Sequence, residues 1–183
     1  MSKPISGHFQ DTKGFKSHPD YDSSKKLKQA DELSKKEKFT PHPIKRKQLS
    51  PAQRKKLKAK KENRTITKEE YKHLEWNRRL AQRRNKAIDR FWRHEKKRLN
   101  ANLPGTRNWT DKQKQDILNN KRPKFKGRVM KSHHLYSVAQ YPHLADRPDL
   151  IFPATDNEHF NGFHGGNYAN SLPGRQIKYV KDF

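Results

Sequence analysis

The stretch HHLYSVAQYPHLADRPDLIFPATDNEHFNGFHGGN, residues 133–167, decides how the rest of this chain is interpreted. Half of the ten histidines in the sequence fall within it, namely His133, His134, His143, His159 and His164. Neutral imidazole is the commonest protein ligand for divalent transition metals, and it also accepts a proton near neutral pH. An adjacent histidine pair followed by two further histidines therefore indicates a metal site with one imidazole left for chemistry.

The same stretch predicts a strand, a loop, a second strand and a helix. A strand is expected to begin at Val129 and end in the histidine pair, YSVAQYPHLADRP is irregular, and LIFPA forms a short second strand. Thr155 and Glu158 make a capping box that begins a helix carrying His159, and Gly165–Gly166 end that helix. The unit is a small β-hairpin followed by a helix, which together are of the α+β class.

Backbone geometry limits which histidines bind one ion. Consecutive residues of a strand point to opposite sides, so only one of His133 and His134 is expected to be a ligand. His159 and His164 lie about 140° apart around an ideal α-helix, so both meet one ion only if the helix loosens at Gly162–Phe163. The alternative ligands that remain open are Asp156 and Asn157.

Charge and composition divide the chain. The formal net charge is +25, hydrophobic residues make up 29% and charged residues 34%, so only part of the chain has enough apolar surface for a core. Residues 1–100 carry 31 Lys and Arg against 12 Asp and Glu, whereas within 132–174 the only Lys or Arg is Arg147, beside four acids. An acidic region that favours a cation thus follows a basic flank that favours nucleic acid, or alternatively an anionic membrane surface.

Several classes of protein are excluded by what the sequence lacks. Cysteine is absent, so there is no disulfide and no thiolate nucleophile, and any metal is held by nitrogen and oxygen. No apolar run approaches the roughly 20 residues of a membrane span, and the first residues, MSKPISGHFQ, lack the apolar core of a signal peptide. We expect a soluble chain without a membrane span or a small-molecule cofactor.

Three regions are predicted along the chain. Residues 1–64 read as a basic, largely disordered arm with a nascent helix at 51–62. Residues 65–104 form a long basic helix that begins at the capping box of Thr67 and Glu70 and ends before Pro104–Gly105. Apart from a discontinuous apolar stripe, its other faces carry basic residues that are either DNA contacts or a solvated surface: Arg78, Arg79, Arg83, Arg84, Arg90, Arg93, Lys96, Lys97 and Arg98. Residues 105–183 form the domain that contains the histidines.

A basic segment precedes the histidine pair. Thr110 and Gln113 begin a further short helix, and the sequence KRPKFKGRVMK at 121–131 follows it with a turn between Pro123 and Gly127. Six of its eleven residues are basic and are candidate phosphate contacts: Lys121, Arg122, Lys124, Lys126, Arg128 and Lys131.

Six segments in order, WTDKQKQDIL, SHHLYSV, YPHLA, DLIFPAT, NEHFNGFHGGN and NSLPG, resemble the HNH/endonuclease VII superfamily over about residues 105–175. The chain is most similar to GHH-type nuclease domains at the C-termini of bacterial polymorphic toxins, of the Rhs type or of related secreted effectors. The resemblance implies a ββα-metal (HNH, or His-Me finger) core. It also implies that His133, His159 and His164 bind the metal and that His134 is the general base. Asp149 stands where the superfamily usually has the Asn that braces the loop and the base, and Ser132 replaces the Gly of the GHH motif.

The resemblance further implies a function and its partners. We expect a divalent metal ion, Zn²⁺, Ni²⁺, Mn²⁺ or Mg²⁺, and a largely sequence-non-specific DNase delivered into the cytoplasm of a target bacterial cell. An acidic immunity protein is the expected protein partner, and RNA is an alternative substrate. The alternatives are a non-catalytic basic nucleic-acid-binding protein with a structural metal and an HNH endonuclease of phage or restriction type.

Overall fold

The computed structural model describes residues 39–44 and 46–174 of the chain. Helices and two short antiparallel strand pairs make up these residues, an arrangement that fits the predicted α+β class. Most of the predicted disordered arm, residues 1–38, lies outside the described residues.

Three α-helices occur where the sequence predicts them: α1 is Pro51–Glu62, α2 is Lys68–Asn100 and α3 is Asp111–Leu118. Each begins at a capping box in which a hydroxyl accepts the N3 amide hydrogen bond and the N3 side chain accepts from the cap amide. The three boxes are Ser50 with Gln53, Thr67 with Glu70 and Thr110 with Gln113. Because a box satisfies two amide donors that the helix itself cannot, it fixes where each helix starts.

The strands form two hairpin-like pairs. Strands β1, Lys124–Phe125, and β2, Arg128–Val129, pair across a turn in which Lys126 and Gly127 both have positive φ, +47° and +78°. Two positive φ values are typical of the tight turns that match strand twist. Strand β3, Lys131–His134, pairs antiparallel with β4, Ile151–Ala154, so that His133 lies opposite Phe152 and His134 opposite Ile151.

Helix α2 supports the β3–β4 pair along much of its length. Leu80 packs with Val138 and Ala145 of the connecting loop, and further along the helix Ala87 and Phe91 pack with Ile151 of β4. Trp92 Nε1 donates a hydrogen bond to Ser132 Oγ of β3 at 3.0 Å. The serine that replaces the glycine of the family motif is therefore a contact between the helix and the histidine strand.

A buried carboxylate joins the end of α2 to the segment before α3. Glu95 is 1% exposed and accepts hydrogen bonds from the Thr106 amide and hydroxyl and from Trp109 Nε1. Gly105 lies so close that a Cβ there would overlap the Trp109 indole and a Glu95 carboxylate oxygen. Among the described residues no helix is long and apolar enough to cross a membrane.

Candidate metal and general-base site

The helical segment after β4 has an unusual geometry that aligns two histidines. Thr155 and Glu158 form the predicted capping box, and the predicted helix that follows is a π-helix over Glu158–Phe163. The His164 amide donates to the His159 carbonyl at 3.1 Å, a hydrogen bond between residues five apart. Because the hydrogen bonds of a π-helix join residues five apart, the two histidines share one side of the segment. The loosening that a shared ion requires is thus present.

His133, His159 and His164 are brought together as predicted. One ring nitrogen from each lies within 4.8 Å of the others, and the ring centroids of His133 are 5.1 Å from His159 and 5.3 Å from His164. Two nitrogens bound to one tetrahedral zinc ion at about 2.1 Å are about 3.4 Å apart, so the rings would have to approach by about 1.4 Å at most to share the ion. Three imidazoles from a strand and a helix fit a divalent transition metal.

Neighbouring groups fix the orientation of these rings. The Asn170 carbonyl lies 3.0 Å from His164 Nδ1, and since a carbonyl only accepts, Nδ1 carries the proton and the lone pair of Nε2 is free to bind a metal. The His133 ring stacks on Phe163 with centroids 4.3 Å apart. Burial, and secondarily the charge of His164, lowers the pKa of His159. A neutral imidazole is the form that binds metal.

A buried ion pair anchors the start of the π-helix. The Arg107 guanidinium donates to both Glu158 carboxylate oxygens, at 2.8 and 3.0 Å, and to the Pro153 carbonyl at 2.8 Å. Glu158 is 1% exposed, and its carboxylate also accepts from the Thr155 amide. Arg107 therefore joins the end of β4 to the first turn of the segment that carries His159.

His134 lies on the other side of β3 and has different surroundings. Its Nε2 contacts the Ala145 carbonyl at 3.4 Å, which places the proton on Nε2 and leaves Nδ1 as the basic nitrogen. Burial, with a further contribution from the charge of Arg84, lowers the pKa of His134 to about 4. The imidazole is therefore unprotonated near neutral pH, as a general base must be.

Two arginines of α2 lie at this site, although the sequence placed them on faces away from the apolar stripe. Arg83 donates to the carbonyls of Pro142 and His143 at 3.1 and 2.9 Å and pairs with Asp146 at 2.7 Å. Arg84 is partly buried, its Nε has no hydrogen-bond partner in the described part of the chain, and its charge acts on His134. The sequence contained a signal for Arg84, because it lies four residues from both Leu80 and Ile88 on the packed face.

The remaining candidate residues, Asp149, Asp156 and Asn157, are engaged in other contacts. Both oxygens of Asp149 accept from Arg147, at 2.9 and 2.6 Å, so the expected bracing role of Asp149 stays a prediction. Asp156, an alternative ligand, pairs with Arg128 at 3.1 Å and Lys131 at 3.4 Å. Asn157, the other alternative, accepts a hydrogen bond from Asn161.

The predicted phosphate contacts lie on the polypeptide that leads into the site. Lys124, Lys126 and Arg128 belong to the β1–β2 hairpin, and Lys131 is the first residue of β3, two residues before His133. Lys121 and Arg122 precede the hairpin, and Arg122 lies 3.9 Å from Asp89 of α2. Phe125 and Val129 are 41% and 45% exposed on the hairpin, which therefore presents apolar as well as basic groups to solvent.

Comparison with known proteins identifies one family. Residues 74–155 match the model of a family described as GHH signature containing HNH/Endo VII superfamily nuclease toxin. The match confirms the resemblance read from the sequence, although it begins earlier than expected, within α2, and ends before His159 and His164. No curated protein matches the chain.

Proposed function

We propose that this chain, whose residues 74–155 match the GHH-signature family of HNH/endonuclease VII superfamily nuclease toxins, is a metal-dependent endonuclease with little sequence preference. The convergence of His133, His159 and His164 within 4.8 Å is the observation that carries the proposal. Two of these residues lie outside the matched segment, so their position is support independent of the family match. We further propose that β3, β4 and the π-helix form the ββα-metal core.

The chemistry follows from the two sides of β3. His134 Nδ1 takes a proton from a water molecule, whose oxygen attacks the phosphorus of a phosphodiester in line with the leaving oxygen. Zn²⁺, Ni²⁺, Mn²⁺ or Mg²⁺ held by His133, His159 and His164 would supply Lewis-acid stabilisation of the charge that develops on the phosphate and the leaving oxygen. The Ala145 carbonyl holds the His134 ring, and Arg83 holds the loop that contains this carbonyl.

The basic segment 121–131 supports binding of a nucleic-acid backbone. Contacts to phosphates position a duplex but carry no direct sequence information, so we expect cleavage without a defined site. Arg128 is 78% exposed in its side chain and Lys131 is 52% exposed, although both lie near Asp156. DNA is the proposed substrate, and RNA is the alternative that the same contacts would accept.

The description of the family as nuclease toxins also suggests where the protein acts. We propose that the domain is delivered into the cytoplasm of a target bacterial cell and that an acidic immunity protein neutralises it. The formal charge of +25 favours such a partner electrostatically, because opposite charges speed association and select against other partners.

One assay separates this proposal from a basic nucleic-acid-binding protein with a structural metal. Supercoiled plasmid, linear duplex and structured RNA are incubated with the protein and a panel of divalent ions, alongside His134→Ala and His133→Ala. The matched control is His143→Ala, a change in an exposed histidine of the same stretch that the proposed site does not use.

The expected result is metal-dependent cleavage by the wild type and by His143→Ala. Loss of a general base lowers the rate about 10²–10⁴-fold, so His134→Ala should bind DNA and metal but cleave very slowly. His133→Ala should lose metal affinity as well as activity. If the wild type binds DNA in every metal tested and never cleaves it or RNA, the nucleic-acid-binding alternative is correct and the nuclease proposal is wrong.

A further inference from the structure

Arg84 lies on the face of α2 that packs against the general-base side of the site. Four residues earlier, Leu80 contacts Val138 and Ala145, the loop whose carbonyl holds His134. Shortly after it, Ala87 packs in one cluster with Ile151, the strand partner of His134, and Ile88 packs against that cluster. Since residues four apart share a helix face, Arg84 lies between these two contacts, and its charge acts on His134.

No carboxylate among the described residues forms an ion pair with the Arg84 guanidinium. Asp146 pairs with Arg83, Asp149 pairs with Arg147, and Glu158 pairs with Arg107. Arg84 Nε is buried and lacks a hydrogen-bond partner among residues 39–44 and 46–174. Burying an N–H group without a hydrogen-bond partner is costly, so a residue with only a packing role at this partly buried position would be apolar. Such an unfavourable arrangement is typical of a functional position that is completed by a ligand.

We propose that Arg84 binds a non-bridging oxygen of the scissile phosphate on the side of His134. This inference rests on the nuclease function proposed above and deepens it, because it names a second group that contacts the reacting phosphate. The ligand class is a phosphodiester, whose oxygens match the planar, permanently charged guanidinium. Arg84 thus acts opposite the His133, His159 and His164 cluster, which lies across β3.

The step balances without a further reactant. An oxygen–phosphorus bond forms from water, the water proton passes to His134 Nδ1, and the bond from phosphorus to the leaving oxygen breaks. The leaving oxygen takes a proton from solvent, and His134 later returns its proton to solvent. Negative charge on the non-bridging oxygens rises as the new bond forms, and the Arg84 guanidinium stabilises it where solvent access is reduced.

The test compares Arg84→Met and Arg84→Lys with Arg93→Met. Arg93 is an exposed arginine of the same helix whose Nε contacts the Asp89 carbonyl, so its substitution removes the same charge away from the site. Loss of a donor to the transition state lowers kcat about 10²–10³-fold, and we expect this for Arg84→Met with little change in KM. Arg84→Lys should retain part of the wild-type kcat. Arg93→Met should leave kcat unchanged and alter only KM. Equal kcat values for Arg84→Met and Arg93→Met would overturn the proposal.

Thermal unfolding distinguishes this role from a structural one. Removing a buried N–H group that lacks a partner should leave the Tm of Arg84→Met unchanged or slightly higher, whereas loss of a structural contact would lower it. Inorganic phosphate provides a readout that needs no cleavage. It should raise the Tm of the wild type and of Arg93→Met but not that of Arg84→Met, because a ligand stabilises only a protein that binds it.

Failure of this inference is separable from failure of the nuclease proposal. If the wild type cleaves nothing but phosphate still stabilises it through Arg84, the anion contact is correct and the nuclease function is wrong. If the wild type cleaves, Arg84→Met cleaves equally fast and phosphate stabilises both alike, the contact is wrong and the nuclease function stands. A fall in Tm for both Arg84→Met and Arg84→Lys, with kcat per folded molecule unchanged, would assign Arg84 a structural role and reject the proposal.

Discussion

Replacing Arg107 by methionine should both destabilise the protein and disturb its histidine cluster. The Glu158 carboxylate is 1% exposed and accepts two hydrogen bonds from Arg107, at 2.8 and 3.0 Å. In the variant this carboxylate keeps the Thr155 amide as a donor but loses its cation. Breaking a buried pair from one side costs about 3–5 kcal/mol because it leaves an uncompensated charge.

That cost is a large share of the stability of an ordinary domain, about 5–15 kcal/mol. With a shift of about 4 °C per kcal/mol for a domain of this size, the Tm should fall by about 12–20 °C. Metal affinity should fall with it, because Arg107 also bonds the Pro153 carbonyl and so fixes β4 relative to the segment carrying His159.

The ion pair of Arg128 with Asp156 provides a matched control. Its 3.1 Å separation is close to that of the buried pair, but its side chains are 78% and 35% exposed. Surface pairs contribute about 0–1 kcal/mol, so Arg128→Met should leave the Tm within a few degrees of the wild type. Thermal unfolding by circular dichroism measures both variants, and calorimetric titration with Ni²⁺ measures the metal site. A loss of stability below about 1 kcal/mol for Arg107→Met would refute the reasoning. The reasoning would also be refuted if the double variant Arg107→Met/Glu158→Met were less stable than Arg107→Met alone.

Three further predictions concern metal binding, the glycines Gly105 and Gly127, and Arg83. Saturating Zn²⁺ or Ni²⁺ should raise the Tm, because a ligand at 100 times its Kd stabilises the folded state by about 2.7 kcal/mol; a chelator should reverse the rise, and His164→Ala should abolish it. Gly105→Ala should cost more than about 2 kcal/mol in denaturant unfolding, because its Cβ would overlap Trp109 and a Glu95 oxygen; Gly127→Ala, which has open space but a φ of +78°, should cost about 1 kcal/mol. Arg83→Met should lower kcat while leaving the calorimetric metal affinity unchanged, since its contacts orient the loop at His134 and not the metal-binding histidines.

Much of the site was accessible from residue patterns because its determinants are local. Capping boxes at Thr67, Thr110 and Thr155 satisfy amides three residues away, so they mark helix starts without reference to the rest of the fold. The period of two along a strand separates His133 from His134 in the same way. The predicted ligand set then followed from the resemblance, and the match over residues 74–155 supports the family.

Other features depended on contacts between residues far apart in the chain. The sequence alone left open whether His159 and His164 could share an ion, because an α-helix separates them; the π-helix that aligns them begins at Glu158, which Arg107 holds from 51 residues away. Arg84 read as one of many arginines on a basic helix, although its spacing from Leu80 and Ile88 was a signal; the packing of these two residues and the effect of its charge on His134 became visible only in the fold. Local hydrogen bonds and periodicity therefore determined the elements and the histidine pair, whereas long-range packing and buried charge decided which of the remaining groups meet at the site.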